Sequence, residues 1–185
     1  MDTDLQIAAV LDRLARVQAA LRRAEGLTDA QVAALGYLAR ANRFSRSPSA
    51  VADYLATTRG TASQTLKSLA DKGLMREHAL PEDKRLRRYD LTEAGQAVAG
   101  RLAAAQPYGA FSQPAEMLDA LKSVLQRGLA ALGGRAFGLC RTCAHHRMGP
   151  GGAHCALLSV PLTAAEADQL CQDHAEPAAG PVHGA

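Results

Sequence analysis

The chain has 185 residues, of which 48% are apolar and only 4% aromatic, and its formal net charge is +3 at pH 7. No stretch approaches the roughly 20 consecutive apolar residues that a membrane-spanning helix needs. The acidic start MDTDLQ also lacks the pattern of a secretory signal. We therefore expect a cytoplasmic protein with no membrane partner, in which one packed domain carries an appendage.

Charge is unevenly distributed along the chain. Residues 59–88 contain eight Lys or Arg and four acidic residues, which gives them a net charge of +4. Residues 135–185 have a net charge of −1 and contain no Lys. The basic middle of the chain is where an anionic partner could bind.

The first predicted helices are marked by spacing and capping residues. Apolar residues follow helical spacing from Leu5 to Ala24, and Gly26 ends that helix. Thr28 and Gln31 are spaced as a capping box at the start of the second helix. These signals predict two successive helices in the first forty residues.

Two shorter helices and a hairpin follow. Ser47 is a plausible cap, and Pro48 suits the first position of a third helix. The fourth helix begins after Thr57 or Thr58 and ends at Gly73. The segments LMREHAL and RLRRYDL are then separated by PEDK, which predicts a β-hairpin. A helix from Thr92 and an amphipathic helix over residues 115–134 complete the predicted elements.

Short helices followed by a basic hairpin have the order of a winged helix-turn-helix, in which the second helix enters the major groove of DNA. The predicted fold is therefore mainly α with a small β-hairpin wing. Runs of charged residues usually lie on solvent-exposed faces without a binding role. Here the hairpin directly after the helix favours DNA binding. The candidate contacts on the helix are Arg59, Thr61, Ser63, Gln64 and Lys67, and those in the wing are Asp83, Lys84, Arg85 and Arg87.

Residues 49–98 resemble the MarR family of transcription regulators. The resemblance is carried by Lys72-Gly73-Leu74, by Asp83-Lys84-Arg85 and by the LTEAG segment that begins at Leu91. It implies a DNA-binding regulator and no enzyme, with Arg85 in or beside the minor groove and Asp83 orienting it.

The resemblance also implies a homodimer built from the first and last helices of the core, over residues 5–24 and 115–132. A two-fold dimer of this kind binds a palindromic operator in double-stranded DNA. Plain intramolecular packing of these terminal helices is the alternative.

All four cysteines of the chain lie near its C-terminal end, as Cys140, Cys143, Cys155 and Cys171. In a reducing compartment such a set is more often a ligand or redox group than a pair of disulfides. An iron–sulfur cluster would use all four sulfurs and needs no second CxxC pair, so it is favoured. Zn²⁺ held by four cysteines, or by three with His174, is the alternative. Uncoordinated thiols are the third possibility.

Other histidines and other cysteine chemistries fit this segment less well. Ala144 stands where a c-type haem site needs His, and no βαβ setting surrounds the CxxC pair as in thioredoxin-like proteins. We expect three further histidines either to be exposed to solvent or to contact the ligands without binding the metal, namely His145, His146 and His154. A redox enzyme with a docked DNA-binding module is a rival interpretation, but no substrate or cofactor motif supports it.

The capping-box spacing of Thr163 and Glu166 predicts a helix that carries Cys171 and His174 on neighbouring turns. We expect a winged-helix and dimerisation domain over residues 1–134, a cysteine-rich module over 135–176 and a disordered tail over 177–185. As a hypothesis, the ligated centre sets the geometry of the dimerisation helix that ends near Leu132, and through it the spacing of the two recognition helices.

Overall fold

The computed structural model describes residues 2–22, 26–79, 87–104 and 113–177. The helices of this part of the chain are α1 (Thr3–Arg22), α2 (Asp29–Leu38), α3 (Pro48–Tyr54), α4 (Arg59–Asp71), α5 (Glu93–Ala104), α6 (Pro114–Leu132) and α7 (Ala164–Ala167). Its strands are β1 (Met75–Ala79), β2 (Arg87–Leu91), β3 (Gly138–Leu139), β4 (His146–Gly149), β5 (Gly152–Cys155), β6 (Val160–Pro161) and β7 (Leu170–Cys171). The expected fold, mainly α with a small hairpin wing, is confirmed.

Polar side chains determine where the short helices begin. The capping box at the start of α2 is present, because the Gln31 amide donates to Thr28 Oγ1 while the Thr28 amide donates to Gln31 Oε1. Ser47 caps α3 with Pro48 in its first turn, and Thr58 is the residue that caps α4. Each cap satisfies an amide that the helix itself leaves unpaired.

The core is centred on α2, whose side chains are buried against both α4 and α5. Tyr37 is completely buried, and its hydroxyl donates to the Ser45 carbonyl over 2.6 Å. The other large side chains that are almost fully buried are Leu35, Leu38, Val51, Leu66 and Leu69. Helices α2, α3 and α4 thus form one apolar cluster, on which the hairpin also packs through Met75 and Tyr89.

The β1–β2 hairpin is antiparallel and pairs Met75 with Leu91 and Glu77 with Tyr89. The turn that joins these strands, with the predicted contacts Asp83, Lys84 and Arg85, lies outside the described residues. The base of the wing is therefore fixed by backbone pairing and by two buried side chains.

The cysteine-rich module contains more β-structure than the sequence predicts. β4, β5 and β6 form an antiparallel sheet, and β3 pairs with β7. The Thr163–Glu166 capping box is present, but α7 ends at Ala167 and Cys171 lies on a strand. The predicted helix through Cys171 and His174 is therefore wrong, because the backbone of Leu170 bonds instead to residues 40 and 42 of the core. From residue 178 onward, the predicted tail lies outside the described residues.

None of the helices in the described part of the chain is long and apolar enough to cross a membrane.

Gly95, the last residue of the LTEAG segment, lies against the turn after α4. A Cβ at this position would be 1.9 Å from the Leu74 carbonyl oxygen, whereas a Cβ at Gly100 in the same helix would meet nothing within 4 Å. We expect Gly95→Ala to lower the free energy of unfolding by about 2 kcal/mol, since backbone atoms would have to shift. Gly100→Ala is the control and should raise it by about 0.5–1 kcal/mol. Urea denaturation measures both, and equal midpoints would contradict the close approach.

Candidate nucleic-acid interface and four-cysteine cluster

Helix α4 has one buried and one exposed face. Ala62, Leu66 and Leu69 are buried in the core. The structure places all five predicted contacts on the exposed side of the helix, namely Arg59, Thr61, Ser63, Gln64 and Lys67. Within the described part of the chain, neither Arg59 nor Lys67 forms an ion pair. Their charges are therefore available to an anionic ligand.

Basic side chains from three parts of the chain converge beside the start of α4. They line a cleft of about 330 Å³ together with serines of α3, and the lining arginines are Arg59, Arg87, Arg88 and Arg135. Arg87 is not free in this arrangement, because its Nε lies 3.0 Å from Glu77 Oε1 across the hairpin. The cleft joins α4, β2 and the start of the cysteine module, and its lining contains four arginines and one carboxylate, that of Asp53.

Residues 40–46, which we call the α2–α3 link, are bonded to the wing through Arg46. The Arg46 carbonyl accepts a hydrogen bond from the Tyr89 amide over 3.0 Å, and Arg46 Nη1 lies 2.7 Å from Asp90 Oδ1. Arg46 Nε also donates to the Ala41 carbonyl. Sequence reasoning missed this residue, because an arginine in an irregular stretch such as FSRSP carries no periodic signal.

The four cysteines of the module are buried, and none of them forms a disulfide. Cys140 and Cys143 lie on one turn, Cys155 ends β5 and Cys171 ends β7. Burial, followed by the negative charges that Cys171, Cys155 and Cys143 would carry, raises the pKa of Cys140 to about 11. The surroundings of Cys140 therefore favour its neutral thiol over the thiolate.

The surroundings of Cys143 and Cys171 act on their thiols in different ways. Cys143 Sγ accepts from the amides of His145 and Ala175, each over 3.4 Å. Burial raises the pKa of Cys171, whereas hydrogen bonds from the Asp173 backbone and from the Asn42 and Ser45 side chains act in the opposite direction. Donors of this kind favour the thiolate form that a metal ligand needs.

The histidines of the module occupy different surroundings. His174 Nε2 lies 3.1 Å from Thr142 Oγ1, and its ring covers Gly138. His154 is exposed, while His145 and His146 are half-buried. His146 Nε2 is buried without a hydrogen-bond partner among the described residues. No group of three or more His, Cys, Asp or Glu side chains in the described ranges is arranged to hold a metal ion.

The module packs directly on the winged-helix core. Phe137 contacts the rings of Tyr37 and Tyr54 edge-on, at centroid distances of 5.7 and 5.2 Å. Arg135 lies 3.3 Å from Asp53 on α3 and 3.2 Å from Asp173 in the module. The cysteine cluster is therefore held next to the helices that present the polar face of α4.

Comparisons with known proteins agree with this architecture. The model of the MarR family matches residues 25–86. Among solved structures, a MarR family transcription regulator superposes with a TM-score of 0.55 at 24% identity, over 71% of this chain and 94% of its own. S. aureus MepR in a complex with DNA superposes at 0.51 and 17% identity, over 71% and 98%. A mutant of MarR from E. coli does so at 0.51 and 20% identity, over 70% and 97%.

These solved structures are matched almost end to end, whereas more than a quarter of this chain lies beyond each match. No curated protein matches the sequence significantly. The MarR family model thus matches the part of the chain that contains α2, α3, α4 and β1, and the solved structures share its winged-helix fold.

Proposed function

We propose that the chain is a transcription regulator that binds a palindromic site in double-stranded DNA as a homodimer, with an affinity set by a four-cysteine metal centre. The observation that carries this proposal is the exposed polar face of α4 in a MarR-family winged-helix domain. The solved complex of S. aureus MepR with DNA supports it, because that relative has the same fold. The proposal assigns no catalytic reaction to the chain and places it in the cytoplasm.

The polar face of α4 is proposed to lie in the major groove. Gln64 can pair with adenine, and Ser63 and Thr61 can bond bases or phosphates. Arg59 and Lys67 can neutralise phosphates, and Arg59 lies beside the other arginines of the cleft. In the wing, Asp83, Lys84, Arg85 and Arg87 stay the predicted contacts, with Arg85 in or beside the minor groove.

The homodimer is supported by apolar side chains that the core leaves exposed on the first and last helices. On α1 they follow one helical stripe, formed by Ile7, Val10, Leu14, Val17 and Leu21. On α6 a second stripe is formed by Met117, Leu118, Leu121, Val124 and Leu125, and no residue of α6 is buried. Two amphipathic helices with uncovered apolar stripes would gain stability by packing on a second copy.

The four cysteines are proposed to hold an iron–sulfur cluster, for which four thiolates are the usual ligands. Zn²⁺ on the same four thiolates is the alternative. The two amides that donate to Cys143 Sγ suit either group. His174 is placed outside the ligand set, because its Nε2 is bonded to Thr142.

Removing one cation from the polar face of α4 should weaken DNA binding. We expect Arg59→Ala to lower the affinity for a duplex selected by the wild-type protein from a randomised library by about tenfold, and to reduce the slope of log Kd against log salt by about 1. Lys122→Ala on α6 removes the same charge away from the proposed interface and should change neither quantity. Fluorescence anisotropy at several salt concentrations measures both, and equal slopes for the two variants would contradict the DNA-binding face.

A charge in the apolar stripe of α6 should separate the subunits. We expect Leu121→Asp to convert a dimer into a monomer, because association would bury an unpaired carboxylate. Ser123→Asp places the same charge on the opposite side of α6 and should leave the dimer intact. Analytical ultracentrifugation distinguishes the two, and a monomeric wild-type protein would rule out the homodimer.

The metal centre can be identified from protein purified without air. We expect a brown protein that contains iron and acid-labile sulfide, and a colourless Cys143→Ser variant. His154→Ala changes an exposed side chain of the same module and should keep the colour. If the wild-type protein is colourless and contains zinc, the centre is a zinc site and not an iron–sulfur cluster. If it contains neither metal, the proposed metal centre is wrong.

A further inference from the structure

We propose that the cleft beside the start of α4, here called the arginine cleft, binds a phosphate of the DNA backbone through Arg59 and Arg88. Arg135 of the cysteine module completes this site by neutralising Asp53. The inference rests on the proposed function and adds a backbone contact and a role for the module that the sequence does not indicate. It does not involve the four cysteines.

The lining of the arginine cleft consists mainly of hydrogen-bond donors. Besides the four guanidinium groups, it includes the hydroxyl groups of Ser47 and Ser49. The Ser47 hydroxyl oxygen accepts from the Ala50 amide over 3.2 Å, so the hydroxyl proton can be donated to another group. The one carboxylate among the described lining residues is that of Asp53. A surplus of donors and positive charge suits an anion, and guanidinium groups match the geometry of phosphate in particular.

Two of the four arginines have no acidic partner. Arg59 lies in the first turn of α4 and is exposed, whereas Arg88 lies on β2 and is partly buried. Among the residues that the structure describes, neither side chain forms an ion pair. Burial lowers the pKa of Arg88, while Tyr37 and Asp173 act in the opposite direction. A bound anion would stabilise this partly desolvated guanidinium.

The other two arginines are already paired with carboxylates. Arg87 Nε lies 3.0 Å from Glu77 Oε1. Arg135 Nε lies 3.3 Å from Asp53 Oδ2, and Arg135 Nη1 lies 3.2 Å from Asp173 Oδ1. Both arginines therefore offset acidic neighbours and supply little free charge. For Arg135, one of these neighbours is the carboxylate that lines the cleft.

Asp53 would oppose a bound phosphate if Arg135 were absent. A carboxylate and a phosphate in one small cleft repel each other, and an adjacent guanidinium cancels much of that repulsion. Asp53 belongs to α3, whereas Arg135 follows α6 at the start of the module. Phe137, two residues after Arg135, packs edge-on against the Tyr54 ring of α3 at a centroid distance of 5.2 Å. The docked module thus keeps Arg135 beside the carboxylate that it neutralises.

The position of the cleft indicates DNA as the source of the phosphate. Arg59 belongs both to the cleft and to the polar face of α4, which is proposed to lie in the major groove. Arg88 lies on β2 at the base of the wing, on another side of the same cleft. A backbone strand that borders the groove occupied by α4 would therefore pass over the cleft. Phosphate contacts of this kind orient a recognition helix without reading the base sequence.

Neutral backbone probes test the contact directly. In the library-selected duplex, one symmetry-related pair of phosphates at a time is replaced by uncharged methylphosphonates, and fluorescence anisotropy measures the affinity. We expect Arg88→Ala to weaken binding to the unmodified duplex about tenfold. At the phosphates held in the two clefts of the dimer, the methylphosphonates should weaken wild-type binding about tenfold. The same replacement should weaken Arg88→Ala less than about twofold, because that contact is already lost.

A second arm tests the role of the module. Arg135→Ala leaves the Asp53 carboxylate uncompensated, so we expect it to weaken binding about fivefold. Adding Asp53→Asn to Arg135→Ala should recover most of this loss, and Asp53→Asn alone should not weaken binding.

The same module offers a matched control pair. Arg141 is exposed and pairs with Asp168, and neither residue lines the cleft. Arg141→Ala should leave the affinity unchanged, and Asp168→Asn should not rescue Arg135→Ala. Urea denaturation of each variant identifies losses that come from unfolding. Arg88→Met, which keeps the apolar stem of the side chain, takes the place of Arg88→Ala if the latter does not fold.

The outcomes separate the inference from the proposed function. If Arg88→Ala binds as tightly as the wild-type protein while Arg59→Ala binds less tightly, the cleft holds no phosphate and the DNA-binding face stands. If Arg88→Ala weakens binding but stays sensitive to every methylphosphonate pair, Arg88 does not contact the backbone and the inference is wrong. If Asp53→Asn fails to rescue Arg135→Ala, the module has no part in the site. If the wild-type protein selects no duplex, the proposed function and this inference are both wrong.

Discussion

The burial of Tyr37 is the constraint on which the rest of the structure depends. Its hydroxyl is completely enclosed and must be satisfied inside the protein, which the Ser45 carbonyl does at 2.6 Å. A buried hydroxyl without a partner would cost about 1–3 kcal/mol. The same ring contacts Tyr54 on α3 and Phe137 at the start of the module. One side chain therefore contacts the link, α3 and the start of the cysteine module at the same time.

Local sequence signals predict most of the winged helix. Capping residues such as Thr28 and Ser47 act within one turn, so their effect is visible in the sequence. The alternation of buried and exposed residues on α4 is equally local, and the spacing of its apolar residues is enough to identify the polar face. The hairpin follows from the turn residues between two short extended segments. These elements are specified by residues close together in the chain.

The cysteine module is harder to predict, because its strands contain only two to four residues and carry no period. Its arrangement depends on bonds between distant residues, such as the pair of Arg43 with Glu166. Glu166 illustrates the difficulty, since its carboxylate completes the cap of α7 and also binds Arg43. The first role is visible from the spacing to Thr163, whereas the second leaves no trace in the sequence. The clustering of the cysteines is visible in the sequence, but the surface on which they dock is not.

The dual role of Glu166 has a consequence for how the protein comes apart. Its side chain is buried, so detaching residues 135–176 from the core separates a carboxylate from Arg43 and uncovers the rings of Tyr37 and Tyr54. It also leaves the Arg40 carbonyl and the Asn42 amide without the partners that Leu170 supplies. Partial opening therefore exposes charged, aromatic and backbone groups at the same time. From these contacts we expect residues 135–176 to unfold together with the core, although they follow the winged helix as a separate segment of the sequence.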